Sequence, residues 1–159
     1  MSLLSRGFLR VPANIVRQAT TASFTRAKSS VAVIGGAGQL GASIVDAFRE
    51  KGWAVTSIDI APNDAAERSV VLKEQSLVGA ANEALKQLED QQFKAIICVA
   101  GGWEGDGDGG PASPTFVQSV DNMLRVNLNS AVNAAQLAAA GLLEPGGMLT
   151  LTGAVGALG

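Results

Sequence analysis

The chain has 159 residues, a formal net charge of −2, 47% hydrophobic and 4% aromatic residues, one cysteine, no histidine and no tyrosine. This length holds one domain with its own core and leaves no room for a second, separate substrate domain. The slight negative charge offers no footing for nucleic acid, the lone cysteine excludes a disulfide framework or a cysteine metal cluster, and the missing histidine excludes Ser-His and Cys-His hydrolases.

Charge is uneven along the chain. Residues 1–29 carry Arg6, Arg10, Arg17, Arg26 and Lys28 and no Asp or Glu, whereas the remainder carries seven basic and fourteen acidic groups. Coiled as a helix, 4–15 puts Leu4, Phe8, Val11 and Ile15 on one face and the arginines elsewhere, with a kink at Pro12. An Arg-rich, Ser-rich, acid-free amphipathic leader without a continuous apolar run describes a mitochondrial transit peptide. A solvated tail on a cytoplasmic protein is the alternative. Residues 1–29 are set apart from the fold, which is assigned to 30–159. No stretch approaches the roughly twenty apolar residues of a membrane span, so no membrane is expected as a partner.

From Ser30 an apolar strand runs without a spacer into Gly36-x-Gly38-x-x-Gly41 and then a helix over 40–51 that ends at Gly52. That order suits a dinucleotide. A pyrophosphate can rest on a helix N-terminus only if the backbone approaches it without Cβ atoms in the way, and a further glycine lets helix and strand pack closely. A second strand over 54–59 ends in Asp59, about twenty residues on, where a carboxylate can accept hydrogen bonds from an adenosine ribose.

The run 61–64 reads as a turn and 69–72 as a short strand. A helix over 76–91 follows, with Leu77, Ala81, Ala84, Leu85 and Leu88 as its buried stripe and Gly79 weakening it. The nearly continuous apolar run 93–100 predicts a central parallel strand, in which Cys98 is a small hydrophobe. Beyond it the glycine-rich loop 101–111 carries Trp103, whose aromatic face could meet a flat ligand at the carboxyl end of a strand. Read plainly, it is an acidic surface loop whose tryptophan covers apolar surface. A calcium reading of Asp106 and Asp108 lacks its later ligands, since Gly110 and Pro111 follow. A long helix over 115–140 predicts Phe116, Val120, Met123, Leu124, Leu128 and Val132 as inward residues, with Gly141 stopping it. The turn 144–147 leads into a last strand, 148–152. Strictly alternating strands and helices predict an α/β fold, a Rossmann-type doubly wound parallel sheet with right-handed crossovers.

The segments Val33-Ile-Gly-Gly-Ala-Gly-Gln-Leu-Gly41, Ala47-Phe-Arg49, Val55-Thr-Ser-Ile-Asp59, Cys98-Val-Ala-Gly-Gly-Trp103 and Gly146-Gly-Met-Leu-Thr-Leu-Thr-Gly-Ala154 resemble the short-chain dehydrogenase/reductase superfamily. Within it they are most similar to the pterin branch, the dihydropteridine reductases, to which the hexapeptide ending in Trp103 is particular. The resemblance implies hydride transfer from NADH, or less favourably NADPH, to a quinonoid dihydropterin, regenerating the tetrahydropterin. It implies that Gly35, Gly36, Gly38, Gln39, Leu40 and Gly41 form the phosphate turn, that Asp59 meets the adenosine ribose and disfavours a 2′-phosphate, and that Ala100, Gly101 and Gly102 line the cofactor. Trp103 would stand beside the small-molecule pterin, and the long helix would contribute to a homodimer. Asn127 matches the helix asparagine of the superfamily, and Ala154 stands where most members have a serine. The superfamily's Tyr-x-x-x-Lys pair has no counterpart, so no catalytic residue is assigned. The chain stops at Gly159, where the pattern would continue toward that tyrosine; the expectation is therefore a C-terminally incomplete reductase. The alternative is a non-catalytic nucleotide-binding or scaffolding module.

Overall fold

A computed structural model describes residues 28–103 and 110–153. The leader up to Ala27, the pair Asp106 and Asp108, and Ala154 lie outside the described residues. Five strands, β1 (Ser30–Ile34), β2 (Ala54–Asp59), β3 (Arg68–Val71), β4 (Phe93–Cys98) and β5 (Leu143–Leu151), form one sheet in the order β3-β2-β1-β4-β5. Every neighbouring pair is parallel, with Val31 opposite both Val55 and Ala95. The sheet is the doubly wound α/β arrangement expected of the alternating elements. Strand order reverses between β1 and β4, and that reversal opens a crevice at their carboxyl ends.

Because side chains alternate along a strand, each central strand feeds two cores. Val31, Val33, Val55, Ala95 and Ile97 pack on one face against Val45 of α1 (Gln39–Glu50). Ala32, Ile34, Ile58, Ile96 and Cys98 pack on the other against Ala84 and Leu88 of α2 (Leu77–Leu88) and against Ala134 and Leu137 of α4 (Ser130–Leu137). This is why β1 and β4 read as continuous apolar runs: both faces are covered.

Local signals set the helix ends. After α1, Gly52 adopts φ +78° and its N–H reaches the Arg49 carbonyl at 2.8 Å, while the Trp53 N–H reaches the Phe48 carbonyl at 3.0 Å. Those two bonds make a Schellman motif, and its usual apolar contact is the Phe48–Trp53 edge-to-face pair at 5.0 Å. At the start of α2, Ser76 caps the helix through the Gly79 N–H.

Three sequence expectations shift. In α2 the buried face is Ala80, Ala84 and Leu88, with Leu85 partly buried against the core and Leu77 exposed. The small alanines let the helix sit close to the sheet, and Leu77 is left on the first turn. The last strand begins earlier than 148, with Leu143 opposite Phe93 and Met148 opposite Ala95; 144–147 bulge between them, with Gly146 at φ +77°.

The third correction concerns the long helix, which runs as α3 (Phe116–Met123), a wide π turn over Leu124–Asn129, α4, and a second π turn over Ala138–Leu142, ending at Gly141 with φ +93°. Val120, Leu124, Leu128 and Val132 are exposed, Leu128 by 54%. Phe116 and Met123 are only half-buried, and the residues turned inward are Ser119, Ala134, Leu137 and Leu142. The periodic apolar stripe exists but faces outward. Periodicity locates a face without saying what it meets, and wide turns, bonded i to i+5, rotate the register beyond them.

Candidate functional site

The carboxyl ends of β1, β2 and β4 open into a cavity of about 440 Å³, walled on its far side by α2 and the long helix. Of the residues singled out from sequence, Gly35, Gly38, Asp59, Ala100 and Gly101 line it.

The glycines have separable physical reasons. Gly35 has φ +86°, and a Cβ there would lie 2.4 Å from the Ala100 nitrogen, so the loops after β1 and β4 touch backbone to backbone. At Gly36 a Cβ would meet the Ser57 hydroxyl at 2.4 Å, and at Gly41 it would meet the Gly35 carbonyl oxygen at 1.9 Å. Both positions are consumed by internal packing. Gly38 differs: its φ is −69° and a Cβ would find nothing nearer than the Gly35 oxygen at 3.4 Å. The protein itself does not require glycine there. The bare backbone of Gly38 faces the cavity.

Gly38 is also the N-cap of α1, with no side-chain cap and no acidic residue in the first turn. An uncapped N-terminus presents free N–H groups and the positive end of the helix dipole, which together favour an anion. Gln39 and Leu40 are exposed on that first turn.

Asp59 ends β2 within the same crevice. One carboxylate oxygen accepts the Ala37 N–H at 2.9 Å and the other accepts the Ile60 N–H at 2.7 Å, so the acid ties the glycine loop to the strand end. Asn63 adds a second tie that the sequence reading missed: its Nδ2 donates to the Gly36 carbonyl at 2.7 Å. The 61–64 turn was legible, but nothing in it announced this contact.

On the β4 side, Asn127 clamps the loop carrying Trp103. Its Oδ1 accepts the Gly102 N–H at 3.1 Å, and its Nδ2 donates to the Gly102 carbonyl at 2.9 Å and to the Met123 carbonyl at 2.9 Å. A Cβ on Gly101 would come within 2.7 Å of that Oδ1. Trp103 is 85% exposed and stands outside the cavity lining. The wide turn holding Asn127 also brings Arg125, Val126 and Asn129 to the cavity wall, with Asn133 one turn on. Sequence periodicity gave no sign of these, since it pointed to the opposite face. Cys98 is buried beneath the site; burial pushes its thiol pKa up and leaves it inert. Among the described residues no cluster of His, Cys, Asp or Glu could hold a metal ion, and no helix is long and apolar enough to cross a membrane.

Comparison with known proteins agrees with this geometry. No family model matches the chain. Dihydropteridine reductase of Dictyostelium discoideum is 37% identical over 131 residues, which are 81% of this chain and 54% of that protein, so the chain spans about half the length of its relative. Among solved structures, a short-chain dehydrogenase family protein of Francisella tularensis matches with a TM-score of 0.65 at 20% identity, covering 80% of this chain and 52% of that one. A short-chain dehydrogenase/reductase of Burkholderia multivorans, solved with bound NADP, matches with a TM-score of 0.64 at 15% identity, covering 80% and 59%. The chain thus has the fold of the short-chain dehydrogenases/reductases, and in sequence it resembles dihydropteridine reductase.

Proposed function

We propose that the chain binds NADH in this cavity and serves the reduction of a dihydropterin to its tetrahydro form. The observation that carries the reading is Gly38: an uncapped helix N-terminus behind a glycine that nothing inside the protein demands, at the strand-order reversal, with the Asp59 carboxylate beside it on the Ala37 amide. When bound, the dinucleotide supplies the hydride. The residues of this chain bind and orient it. Gly35, Gly36 and Gly41 shape the turn, and Gly38 with the first-turn amides of Gln39 and Leu40 receives the pyrophosphate. Asp59 accepts from the adenosine ribose, and its charge opposes a 2′-phosphate, which favours NADH over NADPH. Ala100, Gly101 and Gly102 offer a flat backbone edge to the nicotinamide, and Trp103 offers a ring to the pterin, a positioning role. The sequence contains no tyrosine, so these residues account for binding and orientation and not for proton delivery.

The second reading is a nucleotide-binding module without turnover. Calorimetric titration with NADH and a stopped-flow assay with quinonoid dihydropterin separate the two. NADH oxidation, or binding of the dihydropterin to the NADH-loaded chain without it, supports the reductase; NADH binding with no response to the pterin supports the module; and no NADH binding refutes both. Because Asp59→Ala also frees the Ala37 and Ile60 amides, a loss common to both dinucleotides, the ribose role is read as the excess: NADH should weaken about tenfold more than NADPH, one or two charge-assisted bonds being lost for NADH alone. Equal losses would remove the ribose role from Asp59.

Two further proposals concern partners and place. The exposed stripe Val117, Leu124, Leu128 and Val132 supports a homodimer through the long helix, which sedimentation of the chain and of Leu128→Glu would test. The acid-free leader supports mitochondrial import, with cytoplasmic residence as the alternative, which imaging of a leader–reporter fusion would decide.

A further inference from the structure

The end of the cavity beyond Asp59 is closed by a short loop with few backbone partners of its own. The Leu72 N–H reaches the Asp59 carbonyl at 2.7 Å, and there the sheet lets go of the chain. The next two amides, of Lys73 and Glu74, both donate to one oxygen of Glu83 on α2, at 2.9 and 3.0 Å. The other oxygen of Glu83 accepts from Gln87 Nε2 at 3.4 Å, which steadies the carboxylate. Among the described residues nothing else bonds those two amides. One residue further on, the Gln75 side-chain oxygen accepts from the Arg125 guanidinium on the wide turn of the long helix. The loop lies flat on α2, since a Cβ at Gly79 would come within 2.6 Å of Ser76 Oγ and 3.0 Å of Glu74 Cβ.

Leu72, Glu74, Gln75 and Arg125 line the cavity, and Glu83 does not. A dinucleotide lying across the strand-order reversal, with its adenosine ribose at the end of β2, would place its base against this wall. We propose that Glu83 is a positioning residue: its carboxylate gathers the Lys73 and Glu74 amides and so holds the adenosine wall in place, with Gln75 and Arg125 completing the span to the long helix. The proposal rests on the cofactor reading above. Two successive N–H groups converging on one carboxylate make charge-assisted bonds, which are the stronger kind. The loop is exposed, so the released amides find water, and the loss is felt as disorder of the wall rather than as unfolding.

The test uses the whole chain and two probes: ADP-ribose, which carries the adenosine, and reduced nicotinamide mononucleotide, which lacks it. In Glu83→Ala, calorimetry should give a five- to tenfold weaker Kd for ADP-ribose. Ligand-observed NMR with the mononucleotide should give an unchanged Kd, and the melting temperature should stay within about 2 °C. Glu83→Gln keeps one acceptor oxygen and should recover about half of the affinity loss on a logarithmic scale. An ADP-ribose Kd in Glu83→Ala within twofold of the parent, or equal losses for both probes with a lowered melting temperature, would overturn the positioning role. Failure of the parent chain to bind either probe would instead overturn the cofactor reading.

Discussion

Gly38 and Gly41 stand three residues apart in one motif, yet the geometry gives them opposite roles, and substituting each by alanine separates the roles. At Gly41 the new methyl would sit 1.9 Å from the Gly35 carbonyl oxygen and 2.7 Å from the Gly36 Cα. Both are backbone atoms, so α1 must shift off the sheet. Overpacking of this kind costs about 3 kcal/mol, which for a domain of this size lowers the melting temperature by roughly 10 °C. At Gly38 the backbone already has φ −69° and ψ 166°, open to any residue, and the methyl would clear its nearest neighbour at 3.4 Å. The folded state accepts it. Alanine is a poorer N-cap than glycine but reduces the freedom of the unfolded chain, and the two effects nearly cancel to within about 1 kcal/mol. The methyl does, however, project where a pyrophosphate would touch the backbone. Losing one amide–phosphate bond at about 2 kcal/mol weakens NADH roughly thirtyfold. Differential scanning fluorimetry without ligand and calorimetric titration with NADH read the two effects. Gly41→Ala should melt early, and Gly38→Ala should melt normally and bind poorly. A Gly38→Ala chain that bound NADH like its parent would refute the assignment of that ledge to the diphosphate.

Among the described residues the fully buried Ser57 Oγ, beside Gly36, has no hydrogen-bond partner, so Ser57→Ala should leave stability unchanged or raise it by about 1 kcal/mol; a loss of that size in denaturant titration would show that the hydroxyl is satisfied. Asn127→Ala should expose the Gly102 amide to faster hydrogen exchange and raise the mobility of Trp103 seen in fluorescence anisotropy, and unchanged protection would dissolve the clamp. Glu83 has its carboxyl pKa lowered, first by the Glu74 backbone bond, which burial opposes next most strongly, and then by the Lys73 backbone bond and charge. A depressed folded pKa means the contact is complete above the ordinary glutamate range near pH 4.3 and is lost as pH falls through the lower folded value. The Lys73 and Glu74 amide shifts should therefore hold steady to about pH 4.3 and titrate below it, measured as the difference from Glu83→Gln. A difference titrating at or above the ordinary value would contradict the contact.

The sequence by itself determined the parallel alternation of strands and helices, and it singled out the glycine turn after β1 and Asp59 at the end of β2. Runs buried on both faces fixed β1 and β4, because such burial leaves a nearly continuous apolar signature, and the span of β2 could be read to the residue between the helix stop at Gly52 and the terminal acid Asp59. Gly36, Gly38, Gly41 and Asp59 were legible because a close backbone approach admits one residue type at fixed spacing. Only the tertiary structure decided which glycines serve packing and which faces the cavity, since a missing Cβ looks the same in sequence whatever it would have met. It also decided the orientation of the long helix. There the apolar stripe faces outward and Arg125, Asn129 and Asn133 turn inward, because the helix covers a cavity as well as a core and its wide turns break the period on which the sequence reading depended. Contacts between distant segments, such as Asn63 with Gly36, Asn127 with Gly102 and Glu83 with the loop after β3, left no local trace. Each joins residues 9 to 27 positions apart, and a hydrogen bond at that separation exists only once the sheet has brought its ends together.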